Sequence, residues 1–536
     1  MEILSPAGPA GYLSIVLHAH LPYVRHPEHE HHIEERWLYE AMTETYIPLL
    51  EMFGNLLNDN IDFRVTLSLT PTLLEMFGDD LLMERYERYL DSLIALAEEE
   101  MFRTRGDSRF WLLAQMYHKR FLKVRHLFHD TYRKDLTSEF ISLSRSDKVV
   151  IIGSAATHAY LPLLSNEPSA VRAQLTLGAQ YSQRLFNKSP LGFWLPECGY
   201  YEGLDALLKE AGIDYFFMES HGVLQGSPSP AYSIYAPVRT PSGAAAFARD
   251  AEASKQVWSS VEGYPGDFDY RDFYRDIGFD LDLNYLRPHF GGNERTFTGL
   301  KYYRVTGPTG GKQPYVRRKA VEKAQTHARH FLEGRELQAL KLHNKFQTRP
   351  LITAAYDAEL FGHWWFEGPE WLDFLFRSGA CSKTLRFISP PEYLSEHNNP
   401  ETIRPAASSW GNRGYSGTWI DTSNEWMYRH LNRAAALMTK AAAENFHCNG
   451  LREKALNQAA RELLLAQASD WAFMIKTGNA SEFARERFLG HIDNFFRLHA
   501  EATTGGIDSL KLSTLEQKDN IFRAIDFRIF SERKQG

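Results

Sequence analysis

The chain has 536 residues, 43% hydrophobic and 24% charged, with a formal net charge of -7. A single core rarely grows past roughly 250–300 residues, so the length predicts two or three domains or one elaborated barrel. The acidic balance, with no basic stripe interleaved with aromatics, speaks against nucleic acid as the main partner.

In chain order, the N-terminal stretch has no basic segment and no long apolar run, so neither a signal peptide nor a membrane helix is expected. Tyr12 to Leu17 (YLSIVL) reads as a buried strand that runs straight into His18-Ala-His20-Leu-Pro. Glu34 to Leu57 has apolar residues at helical spacing. Phe63 to Leu69 is a second strand, closed by Thr70-Pro71. From Leu73 to Tyr132 the pattern is helical without interruption, a helical excursion from the sheet. Further short apolar strands follow at Val149–Ala155, Gly192–Leu195, Tyr215–Met218, Ala244–Phe247, Leu351–Tyr356 and Leu385–Ile388. Strands of this kind alternating with helices predict parallel βαβ units and a closed or nearly closed β/α barrel. No period of 20–50 residues recurs, which excludes a solenoid. Glu262 to Gly311, rich in Gly, Asp, Tyr and Pro, reads as a long loop over one barrel face, and a helix returns from Val316 to about Leu342. After about Glu425 the pattern is all helical. The expected division is a barrel over 1–400, with a helical insertion at about 73–132 and a loop excursion at about 262–311, then a helical domain over 401–536.

Cys198, Cys381 and Cys448 are too few for a disulfide framework, which points to a reducing compartment and a cytoplasmic location. Aromatics reach 13%, with 11 Trp and 26 Tyr. That suits a large core, and equally a cleft whose rings stack on the apolar faces of sugars.

In a parallel β/α barrel the active site gathers at the C-terminal ends of the strands. The residues expected there are His18 and His20, Thr157 and His158, Glu197, and Asp357 with Glu359. Glu197 follows a strand and Pro196, between Trp194 and Tyr200. Asp357 sits in Tyr-Asp-Ala-Glu-Leu-Phe-Gly-His-Trp-Trp. Each acid alone is equally explained as a helix cap. Together, in aromatic surroundings, they are the two carboxylates that glycoside cleavage requires. His18-Ala-His20 places two imidazoles on one face of a strand, which suits either metal ligation or hydrogen bonding to sugar hydroxyls; spacing alone leaves both open.

Five segments in order resemble the motifs of glycoside hydrolase family 57, and within it the branching-enzyme group. They are His18-Ala-His20-Leu-Pro-Tyr23; Gly153-Ser-Ala-Ala-Thr157-His158; Gly192-Phe-Trp-Leu-Pro-Glu197-Cys-Gly-Tyr200; Ala355-Tyr-Asp357 through His363-Trp364-Trp365-Phe366-Glu367; and Ser408-Ser409-Trp410-Gly411, with Trp419 and Trp426 behind it. Gln467-Ala-Ser-Asp470-Trp471 extends the likeness into the tail. The resemblance implies an α/β fold: an incomplete seven-stranded β/α barrel with a helical insertion and a C-terminal helical domain closing the cleft. It implies a retaining mechanism with Glu197 as nucleophile and Asp357 as acid/base, and no cofactor or catalytic metal. His18, His20 and His158 then bind sugar, Trp410 and Trp419 line the acceptor site, and Asp470, Arg271 and Gly299 contact substrate. The implied partner is an α-1,4-glucan, as donor and as acceptor. Whether water or a glucan 6-hydroxyl completes the reaction depends on how well the acceptor site excludes water. The loop from Gly222 to Gly243, with Tyr232 and Tyr235, is a candidate lid. The alternatives are an α-amylase-type hydrolase on the same fold, a zinc-dependent carbohydrate deacetylase or mannosidase, and a non-catalytic glucan-binding protein.

Overall fold

The computed structural model describes residues 8–531 except 187–191, 260–261, 291–293 and 307–310. The strands among the described residues are β1 (Gly11–Ala19), β2 (Val65–Leu69), β3 (Val149–Ser154), β4 (Gly192–Trp194), β5 (Tyr215–Met218), β6 (Val238–Arg239), β7 (Ala245–Ala248), β8 (Leu351–Asp357) and β9 (Leu385–Phe387). Their order is β6-β7-β5-β4-β3-β2-β1-β8, with β9 beside the first three residues of β1. Seven strands from β7 to β8 run parallel, and only β6 is antiparallel. Among the described residues no ladder joins β7 to β8. One bond bridges the gap, Asp250 N–H to the Thr353 carbonyl at 2.8 Å. The sheet is therefore an incomplete barrel.

All eight expected strands are present. β1, β2, β4, β5 and β7 are buried on both faces, as the unbroken apolar runs require, while β9 exposes Arg386. β6 has two residues, too short for any sequence pattern to reveal. The helix expected over 34–57 is interrupted by a π-turn at Met42–Tyr46, which carries Glu44 and Tyr46 toward the barrel top. Gly362, at φ +119, lets the segment after β8 lie against that turn; a Cβ there would sit 1.8 Å from the Glu44 carbonyl oxygen.

Helices Asp80–Thr104 and Ser108–His126 form the excursion after β2. Each starts on an aspartate, Asp79 and Asp107, whose carboxylate accepts from a first-turn N–H. From Trp426 onward the chain is helical: Trp426–Glu444, Gly450–Ala466, Ser469–Thr477, Ser481–Thr504 and Ser509–Lys518. These helices share one apolar core with the barrel, running from Leu13 and Leu17 through Trp371 to Trp471 and Phe530. Among the described residues no helix is long and apolar enough to cross a membrane. Cys198, Cys381 and Cys448 are all free.

One expectation is corrected by the topology. Tyr235 accepts from the N–H of Leu351, the first residue of β8, and Tyr232 and Tyr235 pack on Phe346 just before it. Asp357 ends the same strand, roughly 20 Å away at about 3.3 Å per residue. Tyr232 and Tyr235 therefore lie at the opposite end of the barrel and cannot cover the site.

Candidate active site

The parallel register brings the strand ends level: His18 pairs with Ser68 on one side and Asp357 on the other. Glu197 follows β4 in a tight turn, Pro196–Cys198, with left-handed φ of 59°. His158, after β3, is also left-handed at 55°. Non-glycine residues held this way cost on the order of 1–3 kcal/mol each and cluster where the backbone must aim a side chain.

Both Glu197 oxygens receive hydrogen bonds. Oε2 accepts from the Trp410 indole N–H at 2.6 Å and Oε1 from the Ser469 hydroxyl at 2.9 Å. Trp410 is half-buried; its backbone N–H also donates to the Glu197 carbonyl, and Arg249 lies over its ring at 5.1 Å. Burial pushes the Glu197 carboxyl up to about 7 against these two donors, and pushes Asp357 up to about 6 against the charges of Arg249 and His20. Among the described residues no side chain donates to Asp357. Glu359 is raised to about 7 by burial and then by Asp357; it accepts from Tyr46 Oη at 2.5 Å and from the His20 N–H at 3.1 Å.

The three histidines stack beneath this pair. His18 lies on Trp194 at 4.7 Å and His20 on His158 at 3.8 Å. Burial, reinforced by the neighbouring imidazoles, holds His18 and His158 well below the usual range, so both are neutral. Their tautomers follow from the acceptor at the end of the row. Ser469 gives its proton to Glu197, so its oxygen takes the N–H of His158 Nδ1 (3.0 Å). The bare Nε2 of His158 accepts from His18 Nε2 (3.0 Å), and the bare His18 Nδ1 accepts from Ser68 (3.0 Å). All four ring nitrogens are thereby committed, and both rings are 2% exposed. His20 differs. Burial opposes its charge, but Asp470, 3.1–3.2 Å from Nε2, outweighs it and raises the pKa, with help from Glu197 and Glu359. Ligand atoms of His20, His158 and Asp470 lie within 4.8 Å of one another, a spacing a cation could bridge.

The structure gathers Glu197, Asp357, His18, His20, His158, Trp410 and Asp470. It does not bring in Arg271 or Gly299. Arg271, 4% exposed, pairs with Glu44 at 3.0 Å and lies over Phe366 at 4.0 Å. Gly299, φ +78, donates its N–H to Asp276 within the excursion. Both are held in the framework, by the buried carboxyls of Glu44 and Asp276. Trp419 is 1% exposed and stacked on Tyr160 at 4.5 Å, so its ring offers no open face to an acceptor. Sequence reasoning missed Ser68, Thr70, Arg249 and Ser469. The first three stand at the ends of β2 and β7, where the strand-end rule would have found them; Ser469 had no signal beyond its place beside Asp470.

Residues 14–405 match the family described as Glycosyl hydrolase family 57, and residues 430–530 match "1,4-alpha-glucan branching enzyme, C-terminal". A 1,4-alpha-glucan branching enzyme of Thermococcus kodakarensis is 34% identical over 96% of this chain and 78% of its own length. A crystal structure described as the novel alpha-amylase AmyC from Thermotoga maritima superposes with TM-score 0.90 at 41% identity, covering 97% of this chain and 99% of that one. The GH57-type branching enzyme from Pyrococcus horikoshii gives 0.87 at 32% identity, covering 98% of both. With most of its length matched and the paired strand-end carboxyls in place, the chain belongs to glycosyl hydrolase family 57.

Proposed function

We propose that the protein is a 1,4-α-glucan branching enzyme that works by retaining double displacement, with Glu197 as nucleophile and Asp357 as acid/base. The observation that carries this reading is the unequal solvation of two buried carboxyls. Glu197 receives two donors, which hold and aim its carboxylate as the nucleophile, and Asp357 receives none, which leaves its carboxyl to carry a proton to the departing oxygen. Burial orders the pair the other way, Glu197 at about 7 and Asp357 at about 6, so the mechanism requires the proton to pass to Asp357 as the glucan binds. Glu197 attacks the anomeric carbon while Asp357 protonates the departing glucan oxygen, leaving a β-linked glycosyl-enzyme. Asp357 then takes the proton of an incoming 6-hydroxyl, and an α-1,6 branch results. His18 and His158 orient Glu197 through Ser469 instead of meeting sugar themselves. His20 and Asp470 are the polar pair left to meet sugar hydroxyls, and Trp410 borders both the nucleophile and the acceptor side. The donor and acceptor are α-1,4-glucan chains, and no catalytic metal is assigned, because the nitrogens of His158 are spent on its neighbours.

Hydrolysis is the second reading, favoured by the 41% identity to a protein described as an α-amylase and by the removal of Tyr232, Tyr235 and Trp419 from the acceptor side. The deciding experiment is digestion of amylose in EDTA, below the melting temperature, with α-1,6 linkages counted by NMR against new reducing ends. An excess of new α-1,6 linkages supports branching. Reducing ends alone would make the protein a hydrolase, and no turnover in EDTA would overturn the metal-free assignment.

A further inference from the structure

At the foot of the barrel, the end opposite Asp357, a cavity of about 270 Å³ opens beside the seam where the sheet does not close. Val238 of β6 lines it on one side and Thr348, just before β8, on the other. The helix Pro390–Glu396 supplies its floor through Tyr393, followed by His397, and the segment from Asn398 to Glu401 closes the rim. The Tyr232 segment, which the topology takes away from the catalytic cleft, forms the remaining wall. Floor and rim are fixed in place. His397 stacks on Tyr393 at 4.4 Å, and its Nε2 lies 3.3 Å from the Tyr12 hydroxyl of β1. Arg239 of β6 donates its N–H to the Glu401 carbonyl at 2.8 Å, and Glu401 Oε2 accepts the Ala231 N–H at 2.8 Å.

The groups left free on this frame decide the class of ligand. The side chains of Tyr232, Asn398 and Asn399 are exposed, and among the described residues none of them hydrogen-bonds to the protein. Phe346 crosses the Tyr232 ring at 81°, and among the described residues no ring lies parallel to it, so a phenol face stays open. The lining holds no arginine or lysine, the side chains that recognise phosphate and carboxylate. Burial lowers the His397 pKa, so that ring is neutral near pH 7, and the Glu401 carboxylate is engaged by Ala231. Among the described residues the histidine and carboxylate groupings that could hold a metal lie elsewhere. What remains is an open aromatic face beside amides that both donate and accept. Its complement is a neutral polyol with an apolar face. A pyranose is such a molecule: its ring face meets the phenol and its hydroxyls meet the amides.

We propose that this cavity is a second, non-catalytic glucan site, which holds a segment of the polymer by stacking on Tyr232 and hydrogen bonding to Asn398 and Asn399. The choice of α-1,4-glucan among neutral sugars rests on the branching reading above. The length of β8, from Leu351 to Asp357, sets the two sites roughly 20 Å apart through the barrel. They lie at opposite ends, so the segment anchored here and the segment that reacts belong to different branches of a polymer. The site therefore acts on affinity for large branched glucans and leaves the chemical steps alone.

The test measures maltoheptaose binding by calorimetry on the full chain carrying Asp357→Asn, which suppresses turnover. The expected result is two equivalents, the second with a dissociation constant on the order of 1 mM or tighter. Adding Tyr232→Ala should weaken that second equivalent at least about tenfold. Adding Asn398→Ala with Asn399→Ala, both exposed positions, should do the same, with Tm and circular dichroism unchanged. In the enzyme with Asp357 intact, Tyr232→Ala should raise KM for glycogen about threefold or more, and leave kcat and the KM for short linear maltooligosaccharides unchanged. Maltoheptaose binding that neither change alters, or a glycogen KM indifferent to Tyr232→Ala, would overturn the proposal. Because binding is read without turnover, the two readings fail separately. A Tyr232-dependent equivalent in a protein that forms no α-1,6 linkages would overturn branching alone. Branching by a protein without that equivalent would overturn this site alone.

Discussion

At the scale of single residues, the proposed mechanism turns on the protonation of two buried carboxyls. Glu197 and Asp357 titrate as a pair, with values near 7 and 6. The working form carries one proton, so kcat/KM should follow a bell with both limbs in the near-neutral range. A flat profile from pH 4.5 to 8 would contradict this. Glu197→Gln and Asp357→Asn should each lower turnover at least about a thousandfold, since the first removes the nucleophile and the second the group that gives and then takes the proton; the melting temperature, measured alongside, should hold. Ser469→Ala is subtler. It removes a donor to the Glu197 carboxylate, a bond worth about 1.5–3 kcal/mol, or about one to two pKa units. Loss of a donor disfavours the anion, so the Glu197 value, the higher of the pair, rises and the alkaline limb moves to higher pH. A limb that stays in place would show the Ser469 contact to be idle. Trp410 has two separable parts. Trp410→Phe keeps a ring but loses the N–H to Glu197, so cleavage should fall about tenfold or more with the ratio of transfer to hydrolysis kept. Trp410→Ala loses the ring face as well, and hydrolysis should gain on transfer. Wild-type cleavage in the Phe variant would sink the first part of this assignment.

At the scale of elements, the site depends on pieces that never touch substrate. The excursion after β7 is pinned by Arg271 on Glu44, which also accepts from His363 at 2.9 Å. Burial opposes the Glu44 charge, but Arg271 and His363 overcome it and hold its pKa far below the usual range. A depressed carboxyl adds stability that is full above its unfolded pKa, about 4.3, and is lost as pH falls toward the folded value. Arg271→Ala strands a buried anion and should cost about 3–5 kcal/mol at neutral pH, read as a lower melting temperature, with KM for glucan unchanged in what remains folded. A raised KM at unchanged stability would return Arg271 to the substrate. Arg271 also marks where sequence reading fell short. Strands such as β1 and β8 were legible because parallel strands buried on both faces leave unbroken apolar runs, and with them the polar residues at their ends that gather in the candidate site. Arg271 and Trp419 sit in segments without periodicity. There a charged or aromatic residue looks the same whether it faces a sugar or a buried partner, and only three-dimensional packing decides. Tyr232 and Tyr235 were misplaced for a related reason: loop composition does not say to which end of a barrel the loop returns.

At the scale of the whole molecule, barrel and tail behave as one body. We propose the boundary at about residue 400 as a change of architecture, not as a seam in stability. Hydrogen bonds cross it at several points. Thr157 Oγ1 donates to the Leu464 carbonyl at 2.5 Å, Gln174 to Gln467 at 2.9 Å, and Arg25 to the Gln517 and Lys518 carbonyls. Tyr23 donates to Asn520, and the Phe522 N–H to Glu75. Apolar residues of barrel and tail also belong to one cluster across the junction. Domains that share only a modest, polar interface unfold separately. Here the helical tail would have to expose core residues such as Leu463 and Trp471, both fully buried, to come away from the barrel. Burying each such side chain is worth about 1.5–3 kcal/mol, so partial detachment is costly even before Glu197 loses Ser469. The expected outcome is a single calorimetric transition, with branching activity and far-UV ellipticity lost at the same temperature. Activity vanishing several degrees before the helical signal would mean that the tail undocks first, and that the serine reaching Glu197 is held by a local contact instead of by the fold.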